Sequence, residues 1–136
     1  MSLLERFQKE NKPNLNVKWG LNTEGKWCSL FNTDFSSLSN SGVYVIWGYG
    51  KYNTHVIIKV GQSANLDERL SSYKYANKNN KVIDYLDTFG NMYVTWADLQ
   101  KSYLDGVEKY LGRIRYSPLI ADAFPDSLPI VVNCPF

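Results

Sequence analysis

The stretch GVYVIWGYGKYNTHVIIKVG, residues 42–61, decides the fold. Its first part, residues 42–47, and its last part, residues 56–60, are rich in β-branched and aromatic side chains, which is the composition of β-strands. The segment between them carries glycine and asparagine, which favour a turn. We therefore predict a β-hairpin that turns about Lys51 and Tyr52.

The register of this hairpin brings two polar side chains together. A symmetric turn about Lys51 and Tyr52 places Tyr44 directly opposite Lys59, and directly opposed residues project from the same face with Cβ atoms about 5 Å apart. Lys59 is the only charge in the run 56–60, and a lysine is costly to bury without a partner. We therefore expect the phenol and the ammonium group to be neighbours. The alternative is a lysine that extends from the strand end into solvent.

The remaining elements follow along the chain. Asn65 is a typical N-cap, and apolar residues follow it at helical spacing. Residues 93–96 predict a third strand and residues 99–116 a last helix, while the proline-rich tail leaves only residues 130–132 able to form an edge strand. The expected fold is α+β, with a small, mostly antiparallel three-stranded sheet flanked by helices.

The chain of 136 residues has the length of one domain. Residues 1–41 are mostly polar with scattered aromatic residues, and we interpret them as an N-terminal extension that packs on a domain formed by residues 42–136. A net charge of +2 is too small for nucleic-acid binding by bulk charge alone, so a polyanionic partner would have to meet a local patch.

The inventory of cysteine and histidine excludes a zinc site at normal spacing, because Cys28 and Cys134 are far apart and His55 is the only histidine. Two reduced thiols are expected, with a disulfide as the alternative. No apolar run reaches 18 residues and the N-terminus lacks a signal-peptide core, so a cytoplasmic protein with no membrane partner is expected.

Four short elements resemble the motifs of the GIY-YIG nuclease superfamily. Residues 42–44, Gly-Val-Tyr, resemble its GIY element, and residues 59–61, Lys-Val-Gly, occupy the position of YIG. Arg69 follows that glycine by eight residues, as the family's arginine does. Tyr73 stands four residues further on, where the family has a histidine or a tyrosine.

The resemblance continues on the last helix and in the tail. Glu108 matches the family's glutamate, and Asn133 matches its terminal asparagine. The resemblance covers residues 42–133 and implies a metal-dependent endonuclease that hydrolyses DNA phosphodiester bonds. The implied catalytic residues are Tyr44, Lys59, Arg69, Tyr73, Glu108 and Asn133.

The resemblance also implies a role for each main group. Glu108 would hold one Mg²⁺ or Mn²⁺ as a Lewis acid beside the leaving oxygen. Arg69 would clamp phosphate oxygens, and Tyr44 would orient or deprotonate the attacking water. To take a proton from water the phenol must itself be ionised, and its usual pKa is near 10. Ionisation near neutral pH therefore needs a cationic neighbour, and Lys59 is the candidate.

Three departures from the family pattern leave alternatives open. Lys59 replaces the tyrosine of YIG, the hairpin is long, and the gap from Glu108 to Asn133 is long. The second hypothesis is therefore a nucleic-acid-binding module that keeps the fold but has little or no activity, and the third is a different small α+β enzyme. The lysines within residues 74–81 fit either a contact with a phosphate backbone or a solvated turn.

Overall fold

The computed structural model of the chain describes residues 14–75, 80–120 and 123–136. It contains both strands and helices, and the α+β prediction is confirmed. The strands are β1 (Cys28–Ser29), β2 (Gly42–Tyr49), β3 (His55–Ser63) and β4 (Tyr93–Asp98). The α-helices are α1 (Leu66–Ser72), α2 (Leu86–Phe89) and α3 (Lys101–Lys109), and α3 continues as a π-helix over Tyr110–Arg115. Short 3₁₀ turns occupy Lys51–Asn53, Tyr73–Tyr75 and Ile83–Tyr85.

The sheet is antiparallel, with the strand order β1-β4-β2-β3. The prediction of three strands is wrong, because β1 adds a fourth at the edge of β4. This two-residue strand lies in the polar segment before residue 42, where no alternation of apolar and polar residues marks it. The predicted hairpin and the strand at residues 93–96 are both present.

The predicted hairpin register is wrong by two residues: Tyr44 pairs with Gly61, and Lys59 pairs with Ile46. One residue of the shift comes from the loop, which centres on Tyr52 because Tyr49 pairs with His55. The other residue of the shift comes from a β-bulge. One residue of β3 has no pairing partner there, between the residues of β3 that pair with Ile46 and with Trp47. Because the two single shifts add, Lys59 stays on the face of Tyr44 as its diagonal neighbour.

Strand β2 lies in the middle of the sheet and is buried along almost its whole length. Its even-numbered side chains join one core with Leu66 and Leu70 of α1. Its odd-numbered side chains join a second core with Leu104 and Val107 of α3. Each fully buried aliphatic or aromatic side chain contributes about 1.5–3 kcal/mol. The helices therefore cover opposite faces of the sheet, with α1 on one and α3 on the other.

Hydrogen bonds define the start of α1 and one contact of the tail. The side chain of Asn65 accepts from the amide of Glu68 at 3.1 Å, so the predicted N-cap is confirmed. In the tail, the predicted edge strand at residues 130–132 is reduced to one parallel bridge between Val132 and Leu15.

Within the described residues, no helix is long and apolar enough to cross a bilayer. The division of the chain at residue 41 stays a prediction, and its first 13 residues lie outside the described part.

Candidate active site at the edge of strand β3

The ring of Tyr44 lies across its cross-strand partner Gly61. A Cβ atom added at Gly61 would stand 2.4 Å from both Cζ and the hydroxyl oxygen of Tyr44. A side chain at this position is therefore incompatible with the ring. In the described sheet β3 pairs only with β2, so a ring that crosses Gly61 carries its hydroxyl to the sheet edge. The glycine of the Lys-Val-Gly element is thus required by close approach of the phenol.

Helix α1 brings a second tyrosine to this hydroxyl. Tyr73 follows the last residue of α1 and is buried, and its hydroxyl lies 3.2 Å from that of Tyr44. The two rings meet edge to face, with centroids 6.5 Å apart. Arg69 precedes Tyr73 by four residues and therefore lies on the same side of the helix. The predicted trio of Tyr44, Arg69 and Tyr73 is brought together.

Burial controls the chemistry of the Tyr44 phenol, which is only 2% exposed. Its pKa is raised well above the usual value near 10, first by loss of hydration and then by the neighbouring Tyr73 hydroxyl. The Arg69 guanidinium acts in the opposite direction, and the Glu108 carboxylate raises the pKa further. The phenol is therefore protonated at neutral pH, since burial outweighs the nearby cation. The electrostatic influence of Arg69 and Glu108 also places both charges near this hydroxyl.

The carboxylate of Glu108 reaches the site from the other face of the sheet. Glu108 is 9% exposed, and its carboxylate accepts a short hydrogen bond from the side-chain amide of Gln62 on β3. The same amide nitrogen donates to Asp105 at 2.7 Å. Because Asp105 and Glu108 are three residues apart on α3, they lie side by side on one face of the helix. Gln62 therefore joins two carboxylates to the edge strand, next to Gly61.

The groups at this site that could ligate a metal ion are the carboxylates of Glu108 and Asp105. Among the described residues, no three side chains of His, Cys, Asp or Glu form a group that could enclose a metal ion. Mg²⁺ needs only one or two carboxylates because water completes its shell. A Mg²⁺ or Mn²⁺ ion held here would use the Glu108 carboxylate, with Asp105 beside it, since oxygen ligands suit both ions.

Arg69 stands between two hollows in the surface. One, of about 550 Å³, runs along the end of β3 and the start of α1 and includes Gln62 and Glu68 in its wall. The other, of about 220 Å³, is lined by Lys59, Tyr73 and Lys81. The exposed guanidinium borders both. Arg69 therefore borders one hollow that includes Gln62, the hydrogen-bond partner of Glu108, and another that includes Lys59 and Lys81.

No protein-family model, curated protein or solved structure matches this chain. The resemblance to the GIY-YIG superfamily therefore rests on the sequence motifs alone.

The described hydrogen bonds of Asn133 join it to the N-terminal segment and to no other predicted site residue. Its side-chain oxygen accepts from the amide of Val17 at 2.6 Å, and its side-chain nitrogen donates to the Val17 carbonyl at 2.8 Å. Its main-chain carbonyl accepts from the indole of Trp19. Val17 and Trp19 pack against the core on the α3 face, and Tyr44 faces the opposite core. The contacts of Asn133 are those of a residue that fastens the N-terminal segment.

Two residues of the site were not singled out in the sequence. Gln62 follows Gly61 and looks like an ordinary polar residue at a strand end, and Asp105 looks like a solvated helix residue. One signal was available: Asp105 and Glu108 have the spacing of helix neighbours. The contact with Gln62 depends on how α3 crosses the sheet, and no local pattern records that crossing.

Proposed function

We propose that this chain is a GIY-YIG-type endonuclease that hydrolyses DNA phosphodiester bonds with Mg²⁺ or Mn²⁺. The observation that carries the proposal is the meeting of groups from four elements at the edge of β3. Tyr44 comes from β2, Arg69 from α1 and Glu108 from α3. Gly61 on β3 leaves room for the Tyr44 ring to cross the edge strand. Residues that are far apart in sequence and chemically suited to one reaction seldom converge without a function.

Each group has a task that suits its position. The Arg69 guanidinium is exposed and permanently charged, so it would bind the oxygens of the scissile phosphate and stabilise charge that develops on them. The Tyr44 phenol is protonated, which favours a role in orienting water or substrate over one in taking a proton. Tyr73 would hold that hydroxyl in place through their hydrogen bond.

The carboxylates of α3 complete the proposed site. Glu108, with Asp105 beside it, would hold the metal ion, and Gln62 fixes the orientation of both carboxylates. When bound there, Mg²⁺ would supply Lewis-acid stabilisation of the leaving oxygen. Lys59 is half-buried on the face of Tyr44 and adds positive charge to the phosphate side of the site.

A specific observation also favours a second candidate, a nucleic-acid-binding module without turnover. The raised pKa of Tyr44 removes it as a general base at neutral pH. An active enzyme must then obtain its hydroxide from another group, whereas a binding module needs no base. The two candidates share the cationic surface near Arg69 and differ only in whether a bond is broken.

A plasmid assay tests the proposal. Supercoiled DNA is incubated with the purified protein in Mg²⁺, in Mn²⁺ and in EDTA, beside the variant Glu108→Gln. The matched control is Glu24→Gln, because the Glu24 side chain is exposed. Metal-dependent nicking that disappears in Glu108→Gln and persists in Glu24→Gln supports the nuclease. Absence of nicking in both Mg²⁺ and Mn²⁺ contradicts the nuclease and favours the binding module. Binding to single-stranded, duplex and branched DNA would then test that module.

A further inference from the structure

The smaller hollow beside Arg69 is lined mostly by polar residues. These are Lys59, Arg69, Tyr73, Asn80 and Lys81. None of the described residues that line it is acidic. The exposed cations Arg69 and Lys81 in this lining therefore favour an anion in a hollow of about 220 Å³.

Asn80 also faces the hollow as a donor. Its side-chain oxygen accepts from the amide of Val82 at 2.9 Å, and its main-chain oxygen accepts from the amide of Ile83 at 3.1 Å. These two bonds fix the turn that follows α1. The side-chain NH₂ group of Asn80 can donate to an anion in the hollow.

The base of the hollow is apolar. Val82 is 2% exposed and Ile120 is 6% exposed, and the amide of Ile120 donates to the carbonyl of Ile58 on β3. This bond holds the tail segment against the outer side of the edge strand. Charges above an apolar base act through a lower dielectric than charges in open water, so each cation attracts an anion more strongly.

We propose that this hollow binds the DNA backbone phosphate next to the scissile one, and that Lys81 and Asn80 position the strand. The inference rests on the proposed function, because Arg69 would hold the scissile phosphate on the side that leads to Glu108. Arg69 lines both hollows, so the phosphate next to the one that it holds can enter the smaller hollow. Lys81 is a positioning residue and takes no part in bond breaking.

Binding measured without metal separates this inference from catalysis. Fluorescence anisotropy with a fluorescein-labelled single-stranded oligonucleotide in EDTA gives the Kd and its dependence on salt. Lys81→Ala is expected to weaken binding about fivefold to tenfold at low salt, and to reduce the slope of log K against log salt by about 0.7, the value for one lost phosphate contact. Lys81→Arg keeps the charge and is expected to restore both values.

Two control variants exclude indirect effects. Lys51→Ala removes an exposed lysine at the tip of the hairpin and is expected to leave the Kd and the salt slope unchanged. Lys81 also borders an adjoining hollow with Asp84, so Asp84→Asn tests whether Lys81 acts through that carboxylate. Under the proposal Asp84→Asn does not weaken binding. In the nicking assay, Lys81→Ala is expected to raise KM and to leave kcat unchanged.

The outcomes distinguish this inference from the proposed function. Weaker binding by Lys81→Ala, rescued by Lys81→Arg, supports the phosphate site even if the wild-type protein cuts nothing. Equal loss in Lys51→Ala, equal loss in Asp84→Asn, or no binding by the wild-type protein overturns it. Metal-dependent nicking with an unchanged Kd in Lys81→Ala would leave the nuclease intact and the phosphate site refuted.

Discussion

Replacement of Gly61 by alanine tests the contact on which the site geometry depends. The added Cβ would stand 2.4 Å from two atoms of the Tyr44 side chain and 2.9 Å from a third, Cε1. Ordinary van der Waals contact begins at 3.4 Å, so the ring would have to move by about 1 Å. Tyr44 is buried and its hydroxyl touches that of Tyr73, so the ring cannot move alone. Overpacking of this kind costs about 1–3 kcal/mol.

A double-mutant cycle isolates that contact from other effects of the alanine. Tyr44→Leu removes every clashing atom, because a leucine side chain ends at Cδ. In the Tyr44→Leu background, Gly61→Ala is expected to change the free energy of unfolding by less than about 0.5 kcal/mol. The coupling energy between the two positions should therefore be about 1–3 kcal/mol.

Urea unfolding followed by tryptophan fluorescence gives the four free energies of the cycle by linear extrapolation. Equal destabilisation by Gly61→Ala in both backgrounds would mean that the ring of Tyr44 does not cover Gly61. The same conclusion would follow if Gly61→Ala had no effect on the wild-type protein.

Three further perturbations test separate parts of the account. The pKa of Tyr44 is raised in the folded state, so the folded protein holds this proton more tightly than the unfolded chain does. The resulting stabilisation is complete below about pH 10. Above that pH it is lost by up to about 1.4 kcal/mol per pH unit. Tyr44→Phe should therefore flatten the decline in unfolding free energy between pH 10 and pH 11, and an unchanged slope would contradict the buried phenol. Gln62→Ala leaves two adjacent carboxylates without their shared donor and should lower the unfolding free energy by about 1–3 kcal/mol, whereas Gln100→Ala, at a helix start without a side-chain cap bond, should have almost no effect. Asn133→Ala should increase hydrogen exchange at the Val17 amide and destabilise the protein by about 0.5–1.5 kcal/mol, while the rate of nicking stays within about twofold of wild type. A large loss of nicking with normal stability would return Asn133 to the catalytic set.

Local patterns predicted the elements that carry the site, because strand composition and helix capping are readable over a few residues. The hairpin, the capped helix after Asn65 and the later strand all follow from such signals. The register did not follow, since the bulge in β3 and the extra loop residue leave no mark in composition. The two errors add to an even number, and this is why Lys59 remains on the face of Tyr44.

The composition of the site was less accessible than its position. Tyr44, Arg69 and Tyr73 are linked by one hairpin and one helix, so short-range spacing was enough to bring them together. The direction of the pKa shift of Tyr44 could not be read from such spacing, because it depends on how deeply the core beside α1 buries the phenol. Asn133 was placed by its match to a motif, whereas its contacts with Val17 depend on the path of the N-terminal segment.

The most direct measurement is the single-turnover rate of cleavage of a short labelled DNA in Mg²⁺ by the wild-type protein and three conservative variants. Tyr44→Phe, Arg69→Lys and Glu108→Gln each remove one function of the site and keep most of its volume. The account predicts metal-dependent cleavage by the wild-type protein and a loss of about a hundredfold or more for Arg69→Lys and Glu108→Gln. The loss for Tyr44→Phe should be smaller, while the exposed Tyr52→Phe retains the full rate. No cleavage by the wild-type protein, or variants as fast as it, would contradict the account.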